Sequence, residues 1–559
     1  MSSRARSLVL FCLLGLTLLA PAVPAHAQAQ VDSVAPPVAL PESETVPPPG
    51  FRTSARQAIA IGDRVPKVRA LRRSHPNLEA AAWVWGGWRW ELDYTADGRV
   101  LAEVDVGARG GVLAVFTGPQ AQSYLARGHQ GNLFDSPWVV LPFALLFLVP
   151  FVDVRRARRL LHLDLLVLLS LGVSYFFFNR GDVLTSVPLV YPVLLYVLAR
   201  MLWTGMRPRE RSERLVPHLP VAALAVGLVL LVGGRVALNV ANQSVIDVGY
   251  ASVVGADRVW HKKPLYVNNE AHGDTYGPIN YLAYVPFEQA MPWKGLWSDL
   301  PAAHAAAIVF DLLTIAGLIA LGTMLRAGRP GRRLGLALAW GWAAFPFTLL
   351  GLMLNTNDGL VALLLVAALL GLASPPGRGA MLALATGAKF IPGALVPLFA
   401  RGAGDERGWR PLAAFGAAFA AVLALPVLLY LPEGGFREFW DTTLGFQLSR
   451  FSVFSVWGLH PGLAWLQDVL KLAAVGLAVL VAFVPRGRRS TAQVAALGAA
   501  VLIAVQLPAM HWFYFYVAWF MPFVLVALFA SYATDEAEPE RSARAEPAEP
   551  PAERVPVAA

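Results

Sequence analysis

From Trp138 onward the chain is a succession of apolar stretches separated by short, arginine-bearing loops. That pattern narrows the fold more than any motif does. Backbone exposed to lipid must pair its own polar groups, which only helices and closed barrels achieve. The stretches lie at approximately 138–152, 161–178, 184–204, 217–238, 302–325, 334–354, 357–374, 411–431, 462–484, 491–507 and 513–532. The fold class expected is an all-α polytopic membrane protein with about 11 transmembrane helices plus a re-entrant segment. Composition excludes a soluble multidomain chain, since 56% of the 559 residues are hydrophobic and only 15% charged.

The loops set an orientation. Arg155, Arg156, Arg158 and Arg159 mark one side, and Arg207, Arg209, Arg211 and Arg214 mark it again two crossings later. Arg326, Arg329, Arg332 and Arg333, then Arg486, Arg488 and Arg489, repeat the mark. Positive-inside bias makes this the cytoplasmic face. The same clusters explain the excess of 46 basic over 37 acidic residues without nucleic acid. The protein is expected in the cell inner (plasma) membrane, with its long loops 239–301 and 432–461 facing the periplasm or outside.

The first 27 residues have a basic start, a short apolar core and the cleavage pattern Ala25-His26-Ala27, as in a signal peptide. An uncleaved anchor helix is the alternative. The only cysteine, Cys12, lies in that core, so cleavage leaves no thiol for disulfide or thiolate chemistry. Residues 28–50 read as a Pro-rich linker, and 51–136 as a small extracytoplasmic α+β domain, with a helical period broken at Pro66 and then alternating strands. A helix with a small antiparallel sheet resembles a PepSY-type module. Trp83, Trp85, Trp88 and Trp90 are expected to form one packed face, for core or dimer packing ahead of carbohydrate stacking. Three accessory spans (137–216), a membrane domain (217–534) and a disordered cytoplasmic tail (535–559) complete the division.

One stretch, 378–402, is long enough to span but basic at both flanks. Crossing would invert every later loop, and Lys389 and Pro392 fall near its middle. Two half-helices dipping in and returning, lining a cavity, satisfy both constraints. A kinked span is the alternative.

The chemistry concentrates on the outer face. Asp247 follows an apolar stretch, where a carboxylate is costly unless solvated or functional. ATP and sugar nucleotides are absent from that side, whereas lipid-linked sugars are present. The stretch 245–261 suits an interfacial helix with Asp247, Tyr250, Val254, Arg258 and His261 along one side. Asp257 and His261 are spaced to pair with each other, and Pro264 enforces the helix end. TYGPINYLAYVPFE (275–288) is too short and broken to span, and reads as a segment in the headgroup plane anchored by its tyrosines.

Asp247, Tyr250, Pro264-Leu265-Tyr266 and Tyr276-Gly277-Pro278, in that order after a span, resemble the GT-C superfamily. The closest likeness is to the polyprenyl-phosphate-mannose-dependent mannosyltransferases of glycosyltransferase family 87. NTNDGLVALLLVAALLGL, LALATGAKFIP with Lys389, and His511-Trp512 add to it, over about 217–534. The chain differs in having three spans and a soluble domain ahead, and Gly277 where a further Pro might be expected. The resemblance implies a GT-C-like fold and transfer of a monosaccharide, mannose or arabinose first, from a polyprenyl-phosphate donor to a lipid or cell-envelope glycan. It assigns Asp247 as general base, with inversion at the anomeric carbon; the alternative role for Asp247 is a helix cap.

Such a donor carries its own leaving group, so a base and cations for the departing phosphate suffice. Candidate donor- or acceptor-binding residues are Tyr250, His261, Tyr266, Tyr276, Lys389, Arg450 and His511. For Lys389, phosphate binding and an internal salt bridge stand equally, and His261 with Lys262 and Lys263 also suits lipid headgroups. Trp440 and Trp457 are placed for ring stacking or interfacial anchoring. Glu270, His272 and Asp274 alternate, but make no convincing metal set; no metal and no cofactor is expected. Membrane lipids are the remaining partner. A transporter or flippase of lipid-linked envelope precursors is the rival reading, and a non-catalytic sensor a third.

Overall fold

The computed structural model describes residues 38–533, apart from 86–87, 97–98, 118–120, 122–135, 180–181, 209–210, 216–218, 243–244, 267–274, 298, 404–407, 450–451 and 453. The signal-peptide and tail expectations, Arg450, and the Glu270, His272 and Asp274 group therefore lie outside the described residues.

The protein is mostly helical, with a small N-terminal antiparallel sheet. Among the described residues, six helices are long and apolar enough to cross a membrane: Leu160–Phe178, Val183–Met206, Val221–Asn242, Pro301–Leu325, Arg410–Leu429 and Pro461–Phe483. A seventh span is available if Gly328–Ala344 and Pro346–Met353, bent by 61°, count as one. The bend falls where Pro346 begins the second half and withholds a backbone N–H. The other expected stretches form shorter apolar helices, Trp138–Leu148, Asp358–Leu370, Ile391–Arg401, Thr491–Gln506 and Tyr514–Phe529. Every residue of Val517–Phe529 is buried, so this helix is the centre of the bundle, whereas Arg410–Leu429 buries only Phe415 and Pro426.

Polar side chains tie the spans together where lipid offers no partner. Arg235 donates to both oxygens of Asp311 at 2.7 and 3.1 Å, and the Trp342 indole donates to the same carboxylate at 2.8 Å. Arg200 pairs with Asp164 at 2.9 Å. The Tyr514 hydroxyl bonds to Ser174 at 2.7 Å and Ser186 at 3.0 Å, joining the accessory helices to the central one.

The stretch 378–402 folds back on itself. Its helix Pro375–Ala388 stops at Lys389, followed by a 3-10 turn over Ile391–Leu395 and the short helix Val396–Arg401. Arg378 at the start donates to the carbonyls of Phe399 at 2.7 Å and Ala400 at 3.4 Å near the end. The two ends therefore meet, and Lys389 occupies the tip, as two half-helices require.

The N-terminal domain opens with helices Ala55–Gly62 and Pro66–Ser74, the first held by a reciprocal Ser54/Gln57 capping box. An antiparallel sheet follows in the order β1 (Val38–Ala39), β2 (Glu79–Trp85), β3 (Arg89–Ala96), β4 (Arg99–Gly107), β5 (Val112–Thr117). Strand β1 falls within the segment expected as linker. The four tryptophans do not share a face. Trp83 and Trp85 stand opposite Glu91 and Arg89, but Trp90 stands opposite Val84 and points the other way, fully buried against Phe51. Strand alternation forbids a common face, since neighbouring positions point to opposite sides of the sheet.

Candidate active site

Several helices begin around one buried polar cluster on the face that carries the long loops. Asp358 is the first residue of Asp358–Leu370 and is 1% exposed. Its Oδ1 accepts from Lys389 Nζ at 2.5 Å and from the Trp519 indole at 2.8 Å. The preceding Asn357 donates to Asn280 Oδ1 at 2.9 Å, and Asn280 donates to Ser252 at 2.9 Å. Trp519 and Asn280 lie in the first turns of Val517–Phe529 and Pro278–Ala290, and Ser252 in the second turn of Asp247–Trp260. Helix starts carry partial positive charge and unpaired N–H groups, which favours anions nearby. Among the described residues, Asp358 Oδ2 and Asn357 Oδ1 have no hydrogen-bond partner.

Lys389 is thus an internal ion-pair partner, and three aromatic rings surround its ammonium. Trp519 lies at 5.3 Å, Tyr276 at 5.4 Å and Tyr516 at 5.8 Å from Nζ to the ring centre. Cation–π contacts of this kind are worth about 0.5–2 kcal/mol.

Tyr276 connects this buried pair to the surface. Its N–H donates to the Tyr281 hydroxyl at 3.1 Å, and its carbonyl accepts from the Tyr266 hydroxyl at 2.9 Å. The next residue, Gly277, caps Pro278–Ala290, and a Cβ there would sit 2.0 Å from the Gly387 carbonyl. Only glycine lets this helix start reach the Lys389 tip. Burial pushes the Tyr276 hydroxyl well above its ordinary pKa, and the Asp247 carboxylate adds to the push, followed by Tyr516 and Asp358. Asp247 itself is exposed at the first position of its helix, with Oδ1 accepting from the Val248 N–H at 2.9 Å. Gly249, two residues on, packs against the Asn355 carbonyl, which a Cβ would approach to 2.4 Å. The Asp247 helix is thereby pressed onto the loop that precedes Asp358.

His511 reaches the same region from the far end of the chain. Its Nδ1 shares a hydrogen bond with Ser452 at 2.9 Å, and its ring faces Tyr516 at 6.3 Å. Asp247, Tyr276, Lys389 and His511 are therefore brought together, with Tyr266 behind Tyr276 as a buried brace.

Two expected residues point elsewhere. His261 hydrogen-bonds Asp257 at 2.9 Å, as their spacing suggests, and lies about 20 Å along the helix from Asp247 at 1.5 Å per residue. Tyr250 stacks on Trp297 at 4.5 Å and meets Trp293 edge-on, and burial raises its hydroxyl to about 12. Trp297 in turn donates its backbone N–H to Leu113 of β5 at 3.3 Å, so Tyr250 faces the seam with the N-terminal domain. Tyr281 and Tyr284, expected as interfacial anchors, are turned inward and at most 1% exposed. Gly255 makes room for the Tyr281 ring, which a Cβ there would approach to 2.1 Å.

Sequence reasoning missed the roles of Asp358, Asn357, Asn280, Ser252, Tyr516 and Trp519. The polar run Asn355-Thr356-Asn357-Asp358 between apolar stretches was a usable signal, because lipid-adjacent polar residues need partners.

Residues 275–511 match the family model of glycosyltransferase family 87. Over this segment the chain is similar to glycosyltransferase family 87. The matched region begins one residue before Tyr276 and ends at His511, enclosing Asp358 and Lys389. Asp247 and Tyr250 precede it. The match supports a glycosyltransferase in general, and the apolar helices support a multi-pass membrane protein. No curated protein matches the chain.

Proposed function

We propose that the protein transfers a monosaccharide, mannose or arabinose, from a polyprenyl-phosphate donor to a lipid or cell-envelope glycan on the extracytoplasmic face of the inner membrane. Asp247 acts as the general base. It takes the acceptor hydroxyl proton as that oxygen attacks the anomeric carbon, and the bond from that carbon to the phosphate oxygen breaks with inversion. The bonding pair leaves with the phosphate, whose charge calls for prepositioned dipoles and cations.

The observation that carries this reading is the exposed Asp247 carboxylate beside Tyr276, at the mouth of a cluster built from helix starts. The helices beginning at Asp358 and Pro278 turn the positive ends of their dipoles toward the phosphate. Lys389 acts through its pair with Asp358, holding Tyr276 in place, and His511 lines the donor side.

The test is sugar transfer by purified protein from radiolabelled polyprenyl-phosphate mannose, arabinose and glucose, with envelope lipid extract as acceptor. Wild type is expected to transfer one of these sugars, and Asp247→Asn at equal folded amount to lose about 10²–10⁴-fold in rate. Transfer that survives the substitution would move the base elsewhere, and no transfer from any donor would remove the polyprenyl-phosphate assignment.

A further inference from the structure

The N-terminal sheet has two faces of opposite character. Trp90, Leu92 and Tyr94 of β3 and Ala102, Val104 and Val106 of β4 belong to the domain's apolar core. The alternate positions hold Arg89, Glu91 and Asp93 on β3 and Glu103 and Asp105 on β4. Glu91 stands directly across from Asp105, and Asp93 from Glu103. Like charges directly opposite one another weaken a ladder. A face of this kind normally lies open to water, which screens it.

This one is covered. Glu91 is 7% exposed, and Glu103 and Asp105 are 0% exposed. Arg89 supplies one positive charge, 2.5 Å from Asp105 and 3.7 Å from Glu91. Neither oxygen of Glu103 meets a hydrogen-bond partner among the described residues, nor does Asp105 Oδ1. A carboxylate buried without donors is costly enough that it ordinarily recruits a cation or a proton. One oxygen from each of Glu91, Glu103 and Asp105 lies within 4.8 Å of the others. Three carboxylate oxygens gathered in this way can close around one ion, and an all-oxygen ligand set suits a hard cation such as calcium.

We propose that Glu91, Glu103 and Asp105 bind a divalent cation of the calcium class, an all-oxygen site separate from the glycosyltransfer machinery. The site sits at the domain seam. The Arg89 guanidinium lies 5.9 Å from the Trp297 ring, Phe116 meets Trp297 edge-on at 6.5 Å, and Trp297 carries the stack with Tyr250. Binding the ion neutralises the carboxylate face and holds Arg89 against Trp297, so it docks the N-terminal domain above the Asp247 helix.

Terbium is the probe, because Trp83 and Trp85 share this face and can sensitise its luminescence. Full-length protein in detergent, stripped with EDTA, is titrated with Tb³⁺ and then with Ca²⁺. A saturable signal displaced by Ca²⁺ is expected, with apparent affinity weakened about tenfold or more in Glu103→Gln and in Glu91→Gln. The thermal midpoint of wild type is expected to rise with Ca²⁺. Glu103→Gln, relieved of a buried charge, is expected to melt higher in EDTA and to lose the Ca²⁺ response. If Glu103→Gln fails to fold, Glu91→Gln gives the same reading. Absence of a saturable signal, or a Ca²⁺ response unchanged in both variants, overturns the proposal and leaves protons as the neutralising species.

Discussion

Lys389 Nζ lies 2.5 Å from Asp358 Oδ1, joining the tip of the folded-back segment to the start of a helix 31 positions earlier in the chain. Both groups are at most 8% exposed. Removing one partner of such a pair strands a buried charge, at a cost of about 3–5 kcal/mol. Lys389→Met and Asp358→Asn are each expected to lower the unfolding midpoint in detergent markedly. The double variant Lys389→Met/Asp358→Asn should recover much of the loss, and thermal melts of the four proteins form the cycle that checks it.

Gly277→Ala tests whether the helix starts must touch. The added Cβ meets the Gly387 carbonyl at 2.0 Å, so one backbone has to move. Overpacking of this kind costs about 1–3 kcal/mol. Sugar transfer is expected to fall more than stability does, since the displaced group carries Tyr276. Equal activity per folded molecule in Gly277→Ala would contradict this.

Tyr266→Phe removes the hydroxyl that holds the Tyr276 carbonyl at 2.9 Å and leaves the ring packing against Phe439 intact. The expected loss is about 1 kcal/mol of stability, with a weaker KM for the donor and little change in protein yield. A steady-state comparison with wild type decides it.

Acid should stabilise the N-terminal domain in chelator. Burial, with Asp105 next in weight, raises Glu91 to about 7; burial raises Asp105 to about 6 and Glu103 well above its usual value. The charged groups on that face are Arg89, Glu91, Asp93, Glu103 and Asp105. Because the folded carboxyls bind protons that the unfolded ones release, their protonated form favours folding fully below the unfolded value of 3.8 for Asp105 and 4.5 for the glutamates. That contribution is lost as pH rises through about 6–7. Tryptophan-monitored melts of full-length protein in EDTA should show a falling midpoint from pH 5 to 8, and Glu103→Gln should flatten the slope.

Trp297→Ala should loosen the seam. The indole donates to the Val245 carbonyl at 2.9 Å and stacks on Tyr250, so truncation removes a central aromatic anchor worth about 2 kcal/mol or more. Limited proteolysis is expected to cut within residues 38–117 faster than in wild type, with the membrane helices still protected.

Much of this architecture was legible in one dimension. Apolar runs announced the helices, the paired basic flanks with Lys389 and Pro392 announced a segment that turns back, and Asp257 with His261 announced their own contact. These features depend on neighbours within one element, where spacing alone sets geometry. The alternation of charged and apolar residues on β3 and β4 was equally readable, but not that its charged side would be covered.

Which residues share the site was settled only by tertiary structure. Lys389 had equal claims to phosphate and to a salt bridge until Asp358 was found beside it, and Tyr250 turned to Trp297 although it lies one helical turn from Asp247. Tyr281 and Tyr284 look like membrane anchors in sequence, yet point inward because Gly255 and the facing helices leave room there. Local spacing fixes the direction of a side chain on its own helix or strand. What that side chain meets depends on packing between elements tens to hundreds of residues apart, which periodicity does not encode.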